Sequence, residues 1–456
     1  MEKQFDFSLS AVFACVMIWF FNLTFTNRAE QEVIDQDVIQ YYSYLPAYFI
    51  EHDIELKFLD TMRSIPPRRY WHLDTPEGKH VFKMSMGVAY LYSPFFFIAH
   101  YSTLKGRLPA DGFSLHYKTW LTAGTVFYSF LALLLIRFLL LKYFERLSTA
   151  ITLLILGVGT NLYCYIVHDP LMSHAYSFFL FSAFLVLIYK WYENPSLWKA
   201  VGLGAVGGLI VLVRPTNVII AVAFLLYGIQ ALGDLKKRLI FFKEKWIHLL
   251  LMLVFAGLVW LPQMLYWKQV TGHYLYYSYA HEKFYWSNSH ILEVLFGYRK
   301  GWLIYTPLMF LAVLGMFVLS QRAREWKWTL WVFFPINIYV ISCWWCWWYG
   351  GSFGQRPLVD SYPLMAIPLT ATLSLILKSR PVLQNVSAFV LVFFIHLNMF
   401  QTWQYSTSLL HYESMTKRAY WKLLFQTTWP RNYAELIQNP DTDNALKGLP
   451  EQHKSK

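Results

Sequence analysis

Charge is what this sequence has least of. Asp, Glu, Lys and Arg make up 14% of its 456 residues, whereas a soluble chain carries about 25% and needs it to cover its surface. With 56% of the residues hydrophobic, that deficit excludes a soluble fold unless lipid covers much of it. Acids are scarcer than bases, 27 against 39. The +12 excess would suggest nucleic acid in a soluble protein, but in a membrane protein it indicates basic cytoplasmic loops, and no nucleic-acid partner is expected. Cysteine is rare as well. Cys15, Cys164, Cys343 and Cys346 lie in or beside apolar stretches, which excludes a secreted disulfide framework. Cys343 and Cys346, within Ser342-Cys-Trp-Trp-Cys-Trp-Trp348, read as small hydrophobes at a helix end rather than as a metal or redox pair. No internal repeat or low-complexity tract is evident, and no small-residue cleavage site follows the first apolar stretch, which is expected to stay as a helix.

What is present is a series of apolar runs. A span needs about 20 such residues to cross roughly 30 Å of hydrocarbon with every backbone group bonded internally. The sequence predicts an all-α polytopic membrane protein of 11 transmembrane helices, at 8 to 26, 118 to 141, 148 to 167, 172 to 190, 198 to 213, 218 to 233, 246 to 266, 302 to 320, 328 to 346, 361 to 377 and 383 to 402. Residues 87 to 104, with Pro94, His100 and a Tyr-rich face, are expected to lie along the interface. Charge supports that choice. It puts Lys3, Lys142, Arg146, Lys190, Lys199, the basic residues of 236 to 245, and those of the 322 to 327 and 378 to 380 loops on one side, fifteen in all, which is then the cytoplasmic side. The N-terminus is expected inside and the active face outside, in the cytoplasmic (inner) membrane. The membrane domain is 1 to 402, with a large first external loop at 27 to 117; residues 403 to 456 form an external cap over the groove, or are partly disordered after Asn439.

Four external segments hold residues suited to chemistry. Asp35 and Asp37 follow the first span and precede Tyr41, Tyr44, Leu45 and Tyr48, whose spacing of three and four predicts one helical face against the membrane. A carboxylate over such a face is placed to act as a general base, although acids beside a membrane are commonly solvated or capping residues. His168, Asp169 and His174 share a second loop. Their spacing is not a recognised zinc pattern, and hydrogen-bonded structural histidines are the commoner outcome, so a metal on Asp169 and His168 is a secondary reading. Arg299 and Lys300 stand at the mouth of the eighth span, and Gly350-Gly-Ser-Phe-Gly-Gln-Arg356 leads to Asp360 and Tyr362. Cations on the sparsely basic side suit an anionic ligand, and Arg beside Gly-rich backbone suits phosphate; the competing reading is snorkelling to lipid phosphates.

These features resemble the GT-C superfamily of polytopic glycosyltransferases, which includes protein O-mannosyltransferases and the lipid A aminoarabinose transferase. Asp37 with Tyr41 looks like the Asp and following Tyr of that family's first external loop, with Asp35 as second candidate. Lys83 ahead of Gly87 and Gly-Gly-Ser-Phe-Gly-Gln-Arg356 match an uncharacterised bacterial subgroup. The resemblance implies an inverting transfer of a sugar from a polyprenyl-phosphate donor to an acceptor hydroxyl or amine. Asp37 or Asp35 would be the base, Lys83, Arg299, Lys300 and Arg356 would bind the donor phosphate, and Tyr41, His168, Asp169, His174, Asp360 and Tyr362 would support the pocket. The sequence departs from the family in having Val38 after Asp37 and His168-Asp169 where a second Asp-x-Asp would stand, so a divalent cation is possible without being indicated. Membrane lipids are further partners. The alternative function is a flippase or transporter of a lipid-linked sugar or similar anion, which calls for buried midplane charges and paired half-helices not seen in the sequence.

Overall fold

The computed structural model describes residues 6–61, 70–319 and 322–451. Lys3, the end of the expected span at 302 to 320, and the last five residues lie outside the described residues. The chain is 67% helical with about 1% strand, and among the described residues six helices are long and apolar enough to cross a membrane: Phe7–Phe25, Leu115–Leu140, Ser173–Glu193, Trp246–Thr271, Arg356–Ile376 and Pro381–Ser406. It is an all-α membrane protein. Gly87–Gly106, although 20 residues long, is not in that set.

The other expected spans are shorter or interrupted, each for a local reason. The run at 148 to 167 gives Arg146–Val158 and a separate turn, Cys164–Val167. Asn398 explains the gap: its Nδ2 donates to the carbonyls of Val158 and Thr160 at 3.0 and 2.9 Å, so the backbone is satisfied without continuing the helix. Pro307 interrupts 302 to 320, splitting Trp302–Tyr305 from Phe310–Gly315. Pro215 opens a tight 3₁₀ turn, Pro215–Ile220, ahead of Ala221–Leu226. The helix at 328 to 346 stops at Ser342, because Trp345 N–H donates to the Lys283 carbonyl at 3.1 Å, zipping the aromatic run to the 272 to 290 loop.

Close helix contacts follow from small residues. Gly204 and Gly208 sit one turn apart on Leu197–Val213, and a Cβ on either would meet backbone of Met252 or Ala256 at 2.3 and 2.7 Å, so this helix and Trp246–Thr271 touch backbone to backbone. At the end of the bundle that carries the basic loops, Glu145 accepts from Arg322 at 2.8 Å and lies 3.0 Å from Lys378. Partial burial acts to raise its carboxyl, but the hydrogen bonds from Arg322 and Lys378 outweigh that and hold it down at about 2.

At the opposite end the segment 27 to 117 folds over the helix ends. It contributes the short helices Asp37–Tyr42 and Tyr44–Phe49, a hairpin of two strands, β1 (Leu73–Asp74) and β2 (His80–Val81), and Gly87–Gly106. The described part of the C-terminal segment continues past Asn439 to residue 451. Thr442–Leu446 is helical, and the carbonyls of Leu446 and Gly448 accept from Tyr285 and Asn288.

Candidate functional site

The first span ends at Phe25, and the chain turns back through Asn27 and Gln36, both non-glycine residues at positive φ (48° and 51°). Such backbone costs about 1–3 kcal/mol per residue and persists where its surroundings demand it. The turn at Gln36 starts the helix Asp37–Tyr42, whose residues Val38, Ile39, Tyr41 and Tyr42 are buried. The expected single face is broken at Ser43. Tyr44 and Leu45 are buried, with Tyr44 Oη donating to the Met84 carbonyl at 2.7 Å, but Tyr48, in the second helix Tyr44–Phe49, is 58% exposed. Asp37 and Tyr41 are left facing a cavity of about 470 Å³.

The cavity walls come from the first loop, from the ends of helices 173–193, 197–213 and 246–271, and from the 276–284 and 344–356 segments. Three cations line it. Arg356 Nη2 is 3.1 Å from Asp37 Oδ2, and Lys83 Nζ is 2.5 Å from Glu282 Oε1. Arg214 Nη1 is 3.6 Å from Asp360 Oδ2. Asp360 lies just behind the wall at 3% side-chain exposure, where it is also 2.9 Å from His174 Nδ1 and accepts from Asn217 Nδ2 at 2.9 Å. A buried carboxylate with Arg214, His174 and Asn217 around it is fully engaged, so its role is to hold His174 and Arg214 in the wall. Glu413, from the C-terminal segment, completes the charged lining. Burial and the neighbouring Asp37 carboxylate both raise the Tyr41 phenol, keeping it protonated as a neutral polar group beside the acid. The remaining wall is aromatic, including Trp267, Tyr279, Trp344 and Tyr349, with Cys346, a free thiol, among them.

The loop that carries Arg356 is shaped by Gly354. Its φ is +60°, and a Cβ there would meet Tyr305 Cβ at 3.1 Å, so glycine suits both the conformation and the space. Lys83 is positioned by its backbone: Lys83 N–H donates to Gln40 Oε1 at 2.9 Å and its carbonyl accepts from Ser278 at 2.5 Å, tying the first loop to the 272 to 290 loop.

No family model matches the chain, and no curated protein matches it. The site must be read from its own geometry.

That geometry gathers Asp37, Tyr41, Lys83, His174 and Arg356 on one cavity, with Asp360 directly behind it. It does not bring in the rest. Asp35 is absent from the lining, and its Oδ1 accepts from Gln36 N–H at 2.9 Å at the turn. Arg299 pairs with Glu451 and lies over the rings of Trp347 and Trp348. Lys300 is buried and donates to the carbonyls of Ser352 and Tyr412; burial, reinforced by Arg356 nearby, lowers its ammonium to about 7. These two cations hold the C-terminal segment to the 297 to 301 turn instead of facing the cavity. His168 and Asp169 are engaged by Arg28, whose Nε donates to the His168 carbonyl at 2.5 Å and whose Nη2 is 3.9 Å from Asp169. A guanidinium therefore supplies the positive charge beside Asp169. Tyr362 is in the core, with its hydroxyl donating to Asn161 Oδ1 at 2.5 Å and accepting from Trp302 at 3.0 Å. Among the aromatics of 274 to 286, Tyr276, Tyr277, Tyr279 and Phe284 line the cavity, whereas Tyr274, Tyr285 and Trp286 do not.

Sequence reasoning missed Arg214, Glu282 and Glu413. Arg214 carried a signal, being one of the few cations on the sparsely basic side, but Arg214-Pro-Thr-Asn217 reads as a helix end. Glu282 and Glu413 stand in no motif.

Proposed function

We propose that the protein is an inverting glycosyltransferase that moves a sugar from a polyprenyl-phosphate donor to an acceptor hydroxyl or amine at the external membrane face. The observation that carries the reading is the pairing of Asp37 and Arg356, 3.1 Å apart, in an aromatic-lined cavity that also holds Lys83 and Arg214. The acceptor O–H or N–H attacks the anomeric carbon from the face opposite the phosphate. Its proton passes to the Asp37 carboxylate, and the bond from the anomeric carbon to the phosphate oxygen breaks with its electron pair staying on that oxygen. Arg356, Lys83 and Arg214 then carry the charge that develops on the departing phosphate. Tyr and Trp faces suit the apolar side of a sugar ring and the first isoprene units. Asp37 as the base, rather than Asp35, is favoured because Asp37 reaches the cavity.

The test is turnover. Purified protein in detergent, supplied with polyprenyl-phosphate sugars and a panel of soluble hydroxyl and amine acceptors, is expected to release polyprenyl phosphate in proportion to glycosylated product. Vesicle-reconstituted protein that moves the lipid-linked sugar between leaflets without cleaving it would establish the transporter instead.

The same reading holds that the apolar helices make 11 passes, the interrupted ones included, in the cytoplasmic membrane. It is supported by the way chain ends alternate: the C-terminal ends of 197–213 and 246–271 and the N-terminal end of 173–193 meet the cavity, whereas Glu145, Arg322 and Lys378 meet one another away from it. A cysteine introduced in the basic helix Gly233–Glu244 is expected to resist an impermeant thiol reagent in intact cells, and one in the 403 to 451 segment to react. Reversed labelling would invert the orientation.

A further inference from the structure

The first external loop holds a second constellation, away from the cavity. In β1 and the residue pair before it, His72 and Asp74 are two apart and therefore share a face of the extended chain; antiparallel pairing sets His80 directly opposite Asp74. The turn between them fixes that register, with Gly78 at φ +76° and Gly78 N–H donating to the Thr75 carbonyl at 2.9 Å. As a result one ligand atom from each of His72, Asp74 and His80 lies within 4.8 Å of the others, and this is the one such group of His, Cys, Asp or Glu among the described residues.

The outward ring nitrogens decide what these atoms can do. His72 Nδ1 is 3.1 Å from the Tyr70 carbonyl, and His80 Nε2 is 3.1 Å from Asp60 Oδ1. Both partners are acceptors, so each outward nitrogen can carry the hydrogen of a neutral imidazole, the tautomer that a cation held between the inward atoms requires. That leaves lone pairs on His72 Nε2 and His80 Nδ1, which face Asp74 Oδ1 at 3.5 and 2.8 Å. In that tautomer three lone-pair atoms converge, an arrangement that suits a cation between them; without one, His80 Nδ1–H would instead donate to Asp74 Oδ1 at 2.8 Å. A carbonyl and a carboxylate on the far nitrogens are the partners that orient metal-bound histidines.

We infer that His72 Nε2, His80 Nδ1 and Asp74 Oδ1 bind a divalent transition metal of the zinc class, with Tyr70 and Asp60 as orienting partners. Two imidazoles and one carboxylate suit zinc, whose bonds of 2.0–2.2 Å put tetrahedral ligand atoms about 3.3 Å apart, and the fourth position is left for water. The site is structural in place: it clips the hairpin closed three residues ahead of Lys83 and links it to the Phe58–Thr61 turn through Asp60. Metal binding is independent of glycosyl transfer. Only the further step, that the clip steadies Lys83 against a donor, rests on that proposed function.

The experiment uses the full chain purified through a tag without histidine, stripped with chelator and then dialysed against Zn²⁺ at micromolar concentration. One zinc per chain is expected by elemental analysis, with X-ray absorption reporting two imidazoles and oxygen ligands. His72→Gln and His80→Gln are each expected to abolish stoichiometric uptake. Asp60→Asn leaves the ligands in place and is expected to weaken affinity roughly 10- to 100-fold, which keeps the test decisive if a ligand variant fails to fold. No retained zinc in the wild-type protein would overturn the site and leave His80 as an imidazolium bridging Asp60 and Asp74. Equal uptake by the wild type and both His variants would overturn it too.

Discussion

Asp37→Asn is expected to lower turnover by roughly 10²- to 10⁴-fold, the range a positioned general base contributes, while donor binding is kept or tightened. The amide fills the same space as the carboxylate, so the turn at Gln36 and the buried face of Val38, Ile39 and Tyr41 should be kept. What it loses is the ability to take up the acceptor's proton. Binding should not suffer, because Arg356 now spends its charge on Asp37 at 3.1 Å, and removing that anion leaves the guanidinium free for the donor phosphate. The variant therefore separates kcat from donor affinity in a way that misfolding cannot, since a misfolded cavity would lose both. Initial rates and donor titration on purified protein read the two quantities. Undiminished turnover would remove Asp37 from the base role. Asp35→Asn is the control, and a few-fold effect at most is expected from a residue absent from the cavity lining.

How far these residues were legible in the sequence depends on how local their partners are. The membrane class followed from charge content, and long helices such as Phe7–Phe25 and Pro381–Ser406 from uninterrupted apolar runs. The break at Pro307 has a visible cause, but the break at Gly159 depends on Asn398, whose side chain arrives from 240 residues away. The same distance rule divides the candidate cations. Lys83 and Arg356 reach the cavity from segments with their own turn signals, whereas Arg299 and Lys300, chosen by the same reasoning, are claimed by Glu451 and by the Tyr412 carbonyl, 152 and 112 residues further on. Nothing near Arg299 announces a partner in the C-terminal segment. Arg214 shows the converse. Its neighbours mark a helix end, and only the fold reveals that this end abuts Asp360. The hairpin cluster was passed over because His72, Asp74 and His80 have no familiar spacing until strand pairing brings them together.

Arg356→Ala is expected to move donor affinity in the direction opposite to Asp37→Asn, weakening it, and to lower kcat/KM by roughly 10²- to 10³-fold, as loss of one donor to a developing oxyanion does. Both variants break the same ion pair. If that pair were only structural, both would shift donor binding the same way. If Asp37 serves the acceptor's proton and Arg356 the departing phosphate, the shifts have opposite signs. Arg356→Lys sharpens the comparison, because lysine keeps the charge but lacks the planar fork that grips two phosphate oxygens, and only part of the loss should be recovered. Arg356 also sits at the head of the turn Arg356–Ser361, two residues after the glycine at φ +60°, so its reach into the cavity is set by backbone that the Ala and Lys variants leave untouched. Donor titration decides the matter: unchanged affinity and rate in Arg356→Ala would make Arg356 a partner that merely neutralises Asp37 and would transfer the phosphate to Lys83 and Arg214. Weaker binding with a reduced rate, set against retained binding in Asp37→Asn, would assign the two halves of one ion pair to the two ends of the reaction.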